Sequence, residues 1–222
     1  MNAWKIFETD LMVQMPLILA GLVNTLKLAG LISVTGLLLG IVVFYLSISK
    51  NFFIRTATNS YISFFIGMPL IVLLFLMYYG LPQWGVRMDP FHVAAIGFTL
   101  NVAAYNAAYM KTAYNGLNFI ELEAAAAQGF SPFQIFRLIT LPQVLRLSVP
   151  ALTNQVIGNL KDSSVAFLIQ YTEFFARMQE LAASNFQFFK AYLLTAIVYL
   201  ALVSVIVLFA RAIERRVVYP TP

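Results

Sequence analysis

The run EAAAAQGFSPFQIFRLITLP, residues Glu123–Pro142, lies between two apolar stretches and is the most informative part of the sequence. Its glutamate and four alanines predict a helix. Gly129 can adopt a positive φ and end that helix. The Ser131-Pro132 pair is typical of the N-cap and first position of a second helix, which Pro142 is predicted to stop. The run therefore predicts two short helices joined at a glycine.

The composition around this run is that of an integral membrane protein. Of the 222 residues, 61% are hydrophobic and 10% are charged, whereas soluble domains carry roughly 25% charged residues. The chain has no cysteine and one histidine, which excludes a disulfide framework and a zinc cluster and leaves little material for histidine-based metal ligation or for an intramembrane enzyme's catalytic residues. The acidic N-terminal decapeptide does not predict a cleaved leader.

Charge-poor segments predict five membrane-spanning helices. Each is near the ~20 residues that cross a bilayer as a helix, and they cover about 18–46, 57–79, 91–111, 147–170 and 190–211. The prediction is a single all-α, polytopic membrane domain over residues 1–222, with a loop at 112–146.

The distribution of lysine and arginine predicts the orientation. With the N-terminus outside, the outer segments carry four basic and five acidic residues, and the cytoplasmic segments carry eight basic and three acidic residues. This asymmetry predicts an outer N-terminus, a cytoplasmic C-terminus and a cytoplasmic 112–146 loop. It also accounts for the basic net charge without a nucleic-acid partner.

Two interpretations of the 112–146 loop follow from physical reasoning alone. The two helices could form a hairpin on the membrane surface, or they could form a stiff lever on which a cytoplasmic partner pushes. A resemblance favours the lever. The positions Glu123, Ala124, Ala125, Gly129, Ile139, Leu141 and Pro142 match the EAA signature of ABC importer permeases.

Further stretches resemble the polar amino-acid permeases of that class, whose members serve histidine, glutamine, arginine or opines. They are MYYGLP (77–82), LNVAAY (100–105), LPQ (141–143), NLKDSSVAFLI (159–169) and the final apolar helix with its basic tail. The resemblance covers nearly the whole chain.

The resemblance implies a permease subunit of an ABC importer that takes up a polar amino acid or close derivative by alternating access. The 112–146 loop would be the coupling loop for separate ATPase subunits. The chain has no GxxxxGK[ST] run, so ATP and Mg²⁺ would bind to the ATPase and this chain would be neither an enzyme nor a holder of a cofactor. The other implied partners are a second permease subunit, an extracytoplasmic solute-binding protein and the lipid of a bacterial inner membrane.

The predicted fourth span contains two adjacent charges, Lys161 and Asp162, which are costly in lipid. For an amino-acid substrate, Asp162 is the predicted partner of the α-ammonium group. Ser163, Ser164 and Asn101 are predicted to contribute hydrogen bonds, with Tyr105 beside them, and Gly158–Ser164 is predicted to unwind. The alternative is that Lys161 and Asp162 form ion pairs that only brace the packing of the helices.

The sequence departs from the family at several polar positions. Ile66, Met68 and Leu73 stand where the family has polar residues, and the Ala107-Ala108 pair replaces an alanine and a glutamate. These changes imply either a partner permease that carries more substrate contacts or a less polar substrate, such as an opine or a sulfur-containing amino acid. An ATP-independent carrier or channel is the alternative outside the ABC class.

Overall fold

The computed structural model of the protein describes residues 3–217; the ends of the predicted 1–222 domain, 1–2 and 218–222, lie outside this range. The described chain is helical, with no strand in that range. The helices are α1 (Ala3–Ser47), α2 (Phe52–Gly67), α3 (Leu70–Phe75), α4 (Pro90–Asn115), α5 (Phe119–Ala127), α6 (Pro132–Ile135), α7 (Leu141–Asp162), α8 (Phe174–Asn185) and α9 (Phe188–Val217). Tighter or wider helical turns continue three of them, at Leu76–Trp84, Phe136–Thr140 and Ser163–Ile169.

The first helix is much longer than the predicted span. Its 45 residues extend over about 68 Å at 1.5 Å per residue, whereas a bilayer core is about 30 Å thick. Its N-terminal part packs on α8 and α9 through a buried cluster, which consists of Phe7, Ile18, Phe174, Met178, Leu181, Ala182 and Ala191. The residues before the predicted span 18–46 are therefore an additional packing element.

Helix α4 lies at the centre of the fold, and α1 crosses it at very short range. The crossing depends on two glycines of α1. A Cβ on Gly36 would lie 2.5 Å from Val102 Cγ1, and a Cβ on Gly40 would lie 2.8 Å from Asn106 Cβ. The hydroxyls of Thr35 and Thr99 hydrogen-bond across the same contact at 2.7 Å. Small residues at these positions let the two backbones approach.

Gly40→Leu is expected to disrupt this crossing. The new side chain would collide with α4 at both Asn106 and the Ala103 carbonyl oxygen, which is 3.2 Å from the Cβ position, and overpacking of this kind costs about 1–3 kcal/mol or more. We expect a lower thermal unfolding temperature and less monodisperse protein in detergent. Gly30→Leu is the control, because no atom of the described chain lies within 4 Å of a Cβ at Gly30. Equal behaviour of the two variants would show that the close crossing is not needed.

Three described helical segments are long and apolar enough to span a membrane by length and composition: Phe7–Ser47, Pro132–Ile169 and Phe188–Ala212. The predicted span at 57–79 is a bent pair, because α2 and the α3 segment meet at 99° and would count together as a fourth. The predicted span at 91–111 lies within α4, whose 26 residues include the buried polar residues Asn101 and Asn106. The five-span count and the orientation of the termini remain predictions.

Pro142 does not stop the second loop helix as predicted. Residues Phe136–Thr140 form a π-helical turn, and α7 begins directly at Leu141 with Pro142 in its first turn. The N–H of Leu141 donates to the carbonyl oxygen of Phe136, so the wider π-helical turn carries the helix up to a proline that has no N–H of its own. The chain from Pro132 to Ile169 is therefore one helical body, and the predicted boundary between loop and span at residue 147 lies inside it.

Candidate substrate cavity and coupling surface

A cavity of about 480 Å³ lies among α4, α7 and the bend between α2 and α3. Helix α4 packs against α2, α3 and α7. It therefore lies between the α7 side of the cavity and the side formed by the bend. The lining residues are Ile66, Gly67, Met68, Pro69, Leu70, Asn101, Tyr105, Tyr109, Asn154, Gln155, Gly158 and Asp162. Its volume falls within the ordinary range of small-molecule sites.

Three of the five predicted substrate residues meet in this cavity: Asp162, Asn101 and Tyr105. Asp162 is exposed and lies one helical turn beyond Gly158, where a Cβ would approach its Oδ2 atom to 3.9 Å. Asn101 is buried, and its Nδ2 donates to the carbonyl oxygen of Phe65 at 2.8 Å. Asn101 therefore also holds the end of α2 beside the cavity.

Ser163 and Ser164 do not join this cavity, contrary to the prediction. Ser163 is fully buried and its hydroxyl donates to the carbonyl oxygen of Leu160 at 2.7 Å. Ser164 donates to the carbonyl oxygen of Lys161 at 2.8 Å and lines a different cavity. Successive helical residues point about 100° apart, so three consecutive side chains cannot all face one site.

Lys161 faces that second cavity, of about 420 Å³, together with Ser164, Phe175, Tyr192 and Tyr199. Lys161 and Asp162 thus face different cavities on α7. Among the side chains that the structure describes, at 4–5 and 7–212, no salt bridge joins Lys161 or Asp162 to a residue of opposite charge. The alternative, in which Lys161 and Asp162 brace the helix packing by ion pairs, stays a prediction.

The change in the helical geometry of α7 begins later along the chain than predicted. Gly158 and Asn159 remain α-helical, and the change to a tighter 3₁₀ helix begins at Ser163, after Asp162. Asn159 Nδ2 donates to Ser33 Oγ on α1 at 3.0 Å, and Gln155 Nε2 donates to Asn159 Oδ1 at 2.9 Å. These bonds fix the α7 wall against the middle of α1.

The other predicted site is the loop helix pair, whose local structure follows its sequence closely. Gly129 has φ +86° directly after α5. Ser131 caps α6 in a capping box, in which the Gln134 N–H donates to Ser131 Oγ at 3.3 Å and the Ser131 N–H donates to Gln134 Oε1 at 2.7 Å. A side-chain bond from Gln143 Nε2 to Glu121 Oε2 at 2.8 Å joins α5 to the start of α7.

The seven signature residues divide into two sets. Glu123, Ala124, Gly129 and Pro142 are the more accessible, whereas Ala125 is buried and Ile139 and Leu141 are half-buried. Below them, Phe136 is buried against Phe44 and Tyr45, with ring centroids 5.9 and 4.5 Å apart. Phe136 therefore fixes the helix pair to α1, and the accessible set forms a surface that a partner can contact.

A fully buried carboxylate in the turn before α8 was missed in the sequence. Glu173 caps α8, accepting the N–H groups of Phe175 at 2.8 Å and Ala176 at 2.7 Å. Thr25 of α1 and Tyr199 of α9 donate hydroxyls to it at 3.1 and 3.4 Å. Glu173 thus joins α1, α8 and α9, and no local signal marks it, because glutamate is not among the residues preferred at an N-cap.

The polar wall of α7 was also missed. Asn154 and Gln155 line the cavity below Asp162. The spacing of Gln155, Gly158 and Asp162 is three and four residues, which places them on one face of a helix. This periodicity is readable from the sequence once α7 is known to be continuous.

A cavity with polar lining residues among apolar helices, one of which continues to an exposed pair of short helices, is typical of membrane transport proteins. The chain belongs to the family described as binding-protein-dependent transport system inner membrane component, which it matches over residues 32–219.

Two relatives are similar along almost their whole length. A probable amino-acid ABC transporter permease protein, PatM of Vibrio harveyi, is 36% identical over 204 residues, covering 90% of this chain and 92% of its own. The probable amino-acid ABC transporter permease protein YckA of Bacillus subtilis (strain 168) is 32% identical over 215 residues, covering 96% and 95%.

Solved structures are similar in fold. The crystal structure of an amino acid ABC transporter with histidines aligns with TM-score 0.84 and 27% identity, covering 94% of this chain and 97% of its own. An inward-facing structure of the MetNI methionine ABC transporter aligns with TM-score 0.76 at 19% identity, covering 93% and 98%, and this likeness concerns the fold alone.

Proposed function

We propose that this protein is the permease subunit of an ABC importer for an amino acid, which it moves across the bacterial inner membrane by alternating access. The observation that carries this proposal is the continuity of the helical body Pro132–Ile169. The end of this body at Pro132, which we propose to be cytoplasmic, adjoins the exposed signature residues. Asp162 lies towards its other end. A force on the α5–α6 helix pair would therefore move the α7 side of the cavity directly.

The driving partner is an ATPase that contacts the exposed residues Glu123, Ala124 and Gly129. ATP and Mg²⁺ bind on that partner, since the sequence of this chain has no GxxxxGK[ST] run. The 112–146 loop then lies in the cytoplasm with the C-terminus, and the N-terminus lies outside, as the lysine and arginine asymmetry favours. An extracytoplasmic solute-binding protein delivers the substrate.

The α-ammonium group of the substrate binds to Asp162, with Tyr105 and Asn101 beside it. Its carboxylate is received by amide donors of Asn154 and Gln155, because none of the cavity-lining side chains that the structure describes is a cation. Asp162 is exposed on the surface of the single chain, and an ionised carboxylate facing lipid is costly. A second permease subunit, identical or not, is therefore proposed to cover this side of the cavity.

The proposal is tested by reconstituting the permease with its ATPase and solute-binding protein in proteoliposomes. We expect the permease to co-purify with the ATPase, and we expect amino-acid uptake to require ATP. Uptake that persists in the absence of any ATPase would identify an ATP-independent carrier instead and would overturn the proposal.

Asp162→Asn is expected to lower ATP-dependent uptake at least about tenfold, because the amide removes the negative charge that the ammonium group needs. The ATPase should still co-purify in the wild-type ratio. Glu180→Gln is the control, since Glu180 is an exposed carboxylate of α8 that does not line the cavity. Loss of the assembled complex in Asp162→Asn would instead show that Asp162 has a structural role.

A further inference from the structure

The two walls of the cavity differ sharply in chemistry. Asn154, Gln155 and Asp162 form the α7 wall, while Ile66, Met68 and Leu70 belong to the facing wall, at the bend between α2 and α3. A substrate between these walls meets hydrogen-bonding groups and a charge on one side and aliphatic side chains on the other.

The bend itself brings the apolar residues to the cavity. Helix α2 ends at Gly67, Met68 is extended with φ −92° and ψ +128°, and Pro69 precedes the first turn of α3. Proline cannot donate a backbone hydrogen bond and disfavours a helical residue before it. The 99° change of direction that results turns the segment Ile66–Leu70 across the end of the cavity.

The charges of the residues that line the cavity also limit which substrate side chains can bind. Among the described residues that line the cavity, Asp162 is the one fully charged group, and the remaining polar side chains are amides and phenols. With Asp162 bound to the α-ammonium group, this lining has no second carboxylate for a cationic side chain. An anionic side chain would lose its hydration without gaining a cation, which is strongly unfavourable.

We propose that Ile66, Met68 and Leu70 select the side chain of the substrate, and that the substrate is an amino acid with an uncharged, apolar side chain of the aliphatic or thioether kind. This inference rests on the proposed function and specifies its substrate class. Apolar pockets discriminate between similar side chains by roughly 10–200-fold, so Met68 is a specificity-determining residue rather than a source of general affinity.

Methionine and glutamine are suitable probes because their side chains have nearly the same length and differ mainly in polarity. The experiment uses the purified complex of permease and ATPase in nanodiscs without the solute-binding protein, so that only the membrane cavity selects. Binding of radiolabelled L-methionine is competed with unlabelled L-methionine, L-glutamine, L-glutamate and L-arginine.

In the wild-type complex, L-methionine is expected to compete at least about tenfold better than each of the other three. Met68→Gln should abolish or reverse the preference for L-methionine over L-glutamine. Met12→Gln introduces the same change at an exposed residue of α1 far along the chain from the cavity lining, and it should retain the wild-type order.

A wild-type preference for L-glutamine, L-glutamate or L-arginine, or no detectable binding of L-methionine, would overturn the inference. An unchanged order in Met68→Gln would overturn the role of Met68. These results are separable from failure of the proposed function, because ATP-dependent uptake of some amino acid by the full system would persist if only the side-chain class were wrong.

Discussion

Replacing Gly129 with valine is expected to lower ATP-driven transport at least about tenfold while the protein remains inserted in the membrane. Gly129 has φ +86°, which a β-branched residue adopts only at a cost of about 1–3 kcal/mol. Its N–H donates to Ala126 O at 3.0 Å, and the next N–H, of Phe130, donates to Ala125 O at 3.2 Å. Valine would break this helix end and change the direction of α6 relative to α5.

The matched control for this variant is Gly30→Val. At both glycines the described chain has no atom within 4 Å of the position that a Cβ would occupy, so the two substitutions differ in backbone conformation and not in steric collision. ATP-dependent uptake in proteoliposomes is the measurement, with membrane insertion checked by the yield of solubilised permease. Equal uptake by the two variants would show that the conformation at Gly129 does not matter for coupling.

The α5–α6 helix pair could be predicted because its sequence signals are local. A glycine that ends a helix and a Ser-Pro pair that starts one act within a single turn, and both are found at Gly129 and at Ser131. Pro142 is also a local signal, but the predicted effect of a proline depends on the helix to which it is assigned. As the last residue of α6 it would be a stop, whereas in the first turn of α7 it is tolerated, and the π-helical turn before it decides the outcome.

The geometry of the bend at Pro69 could not be predicted from the sequence, because a proline in an apolar segment is compatible with a kink, a break or a continuous span. Packing decides among these. Asn101 Nδ2 of α4 donates a hydrogen bond to the carbonyl oxygen of Phe65. Leu74 packs closely on Gly97 of α4, where a Cβ would lie 2.7 Å from Leu74 Cδ2. Contacts over such sequence separations leave no local signal.

The candidate site was predicted in part for a related reason. Asp162 is conspicuous because charges in apolar segments are rare, and Asn101 and Tyr105 belong to a stretch that resembles the family. Ser163 and Ser164 also belong to a stretch that resembles the family, but their direction on the helix was not considered. The helical phase of α7, which excludes them and adds Gln155, follows only once the helix is known to continue through Asp162.

The thermal stability of the wild-type protein is expected to fall as the pH rises from about 5 to 7.5, and Glu173 is expected to contribute much of that slope. Glu173 lies between the membrane-spanning segments, in the turn before α8. Burial raises its pKa from 4.5 to about 7, although the N–H groups of Phe175 and Ala176 and the hydroxyls of Thr25 and Tyr199 favour the ionised form. No cation among the described residues forms an ion pair with it.

The sign of the effect follows from proton linkage. Between pH 4.5 and about 7 the folded carboxyl group binds a proton that the unfolded group has already released. The stabilising contribution is therefore complete below 4.5 and is lost as the pH rises through about 7. Glu173→Gln cannot ionise and should flatten the slope. Glu180→Gln, which removes an exposed carboxylate from the same helix, should retain it.

Unfolding can be followed by the fluorescence of the two tryptophans, Trp4 and Trp84, in detergent between about pH 5 and 8. A third variant, Glu173→Ala, separates the charge from the hydrogen bonds. It leaves two N–H groups and two hydroxyls without their acceptor, and each unsatisfied buried donor costs about 1–3 kcal/mol. It should therefore unfold at a lower temperature than Glu173→Gln at every pH. If the wild-type and Glu173→Gln slopes coincide, Glu173 does not titrate in this range, and its role is limited to capping α8 and joining it to α1 and α9.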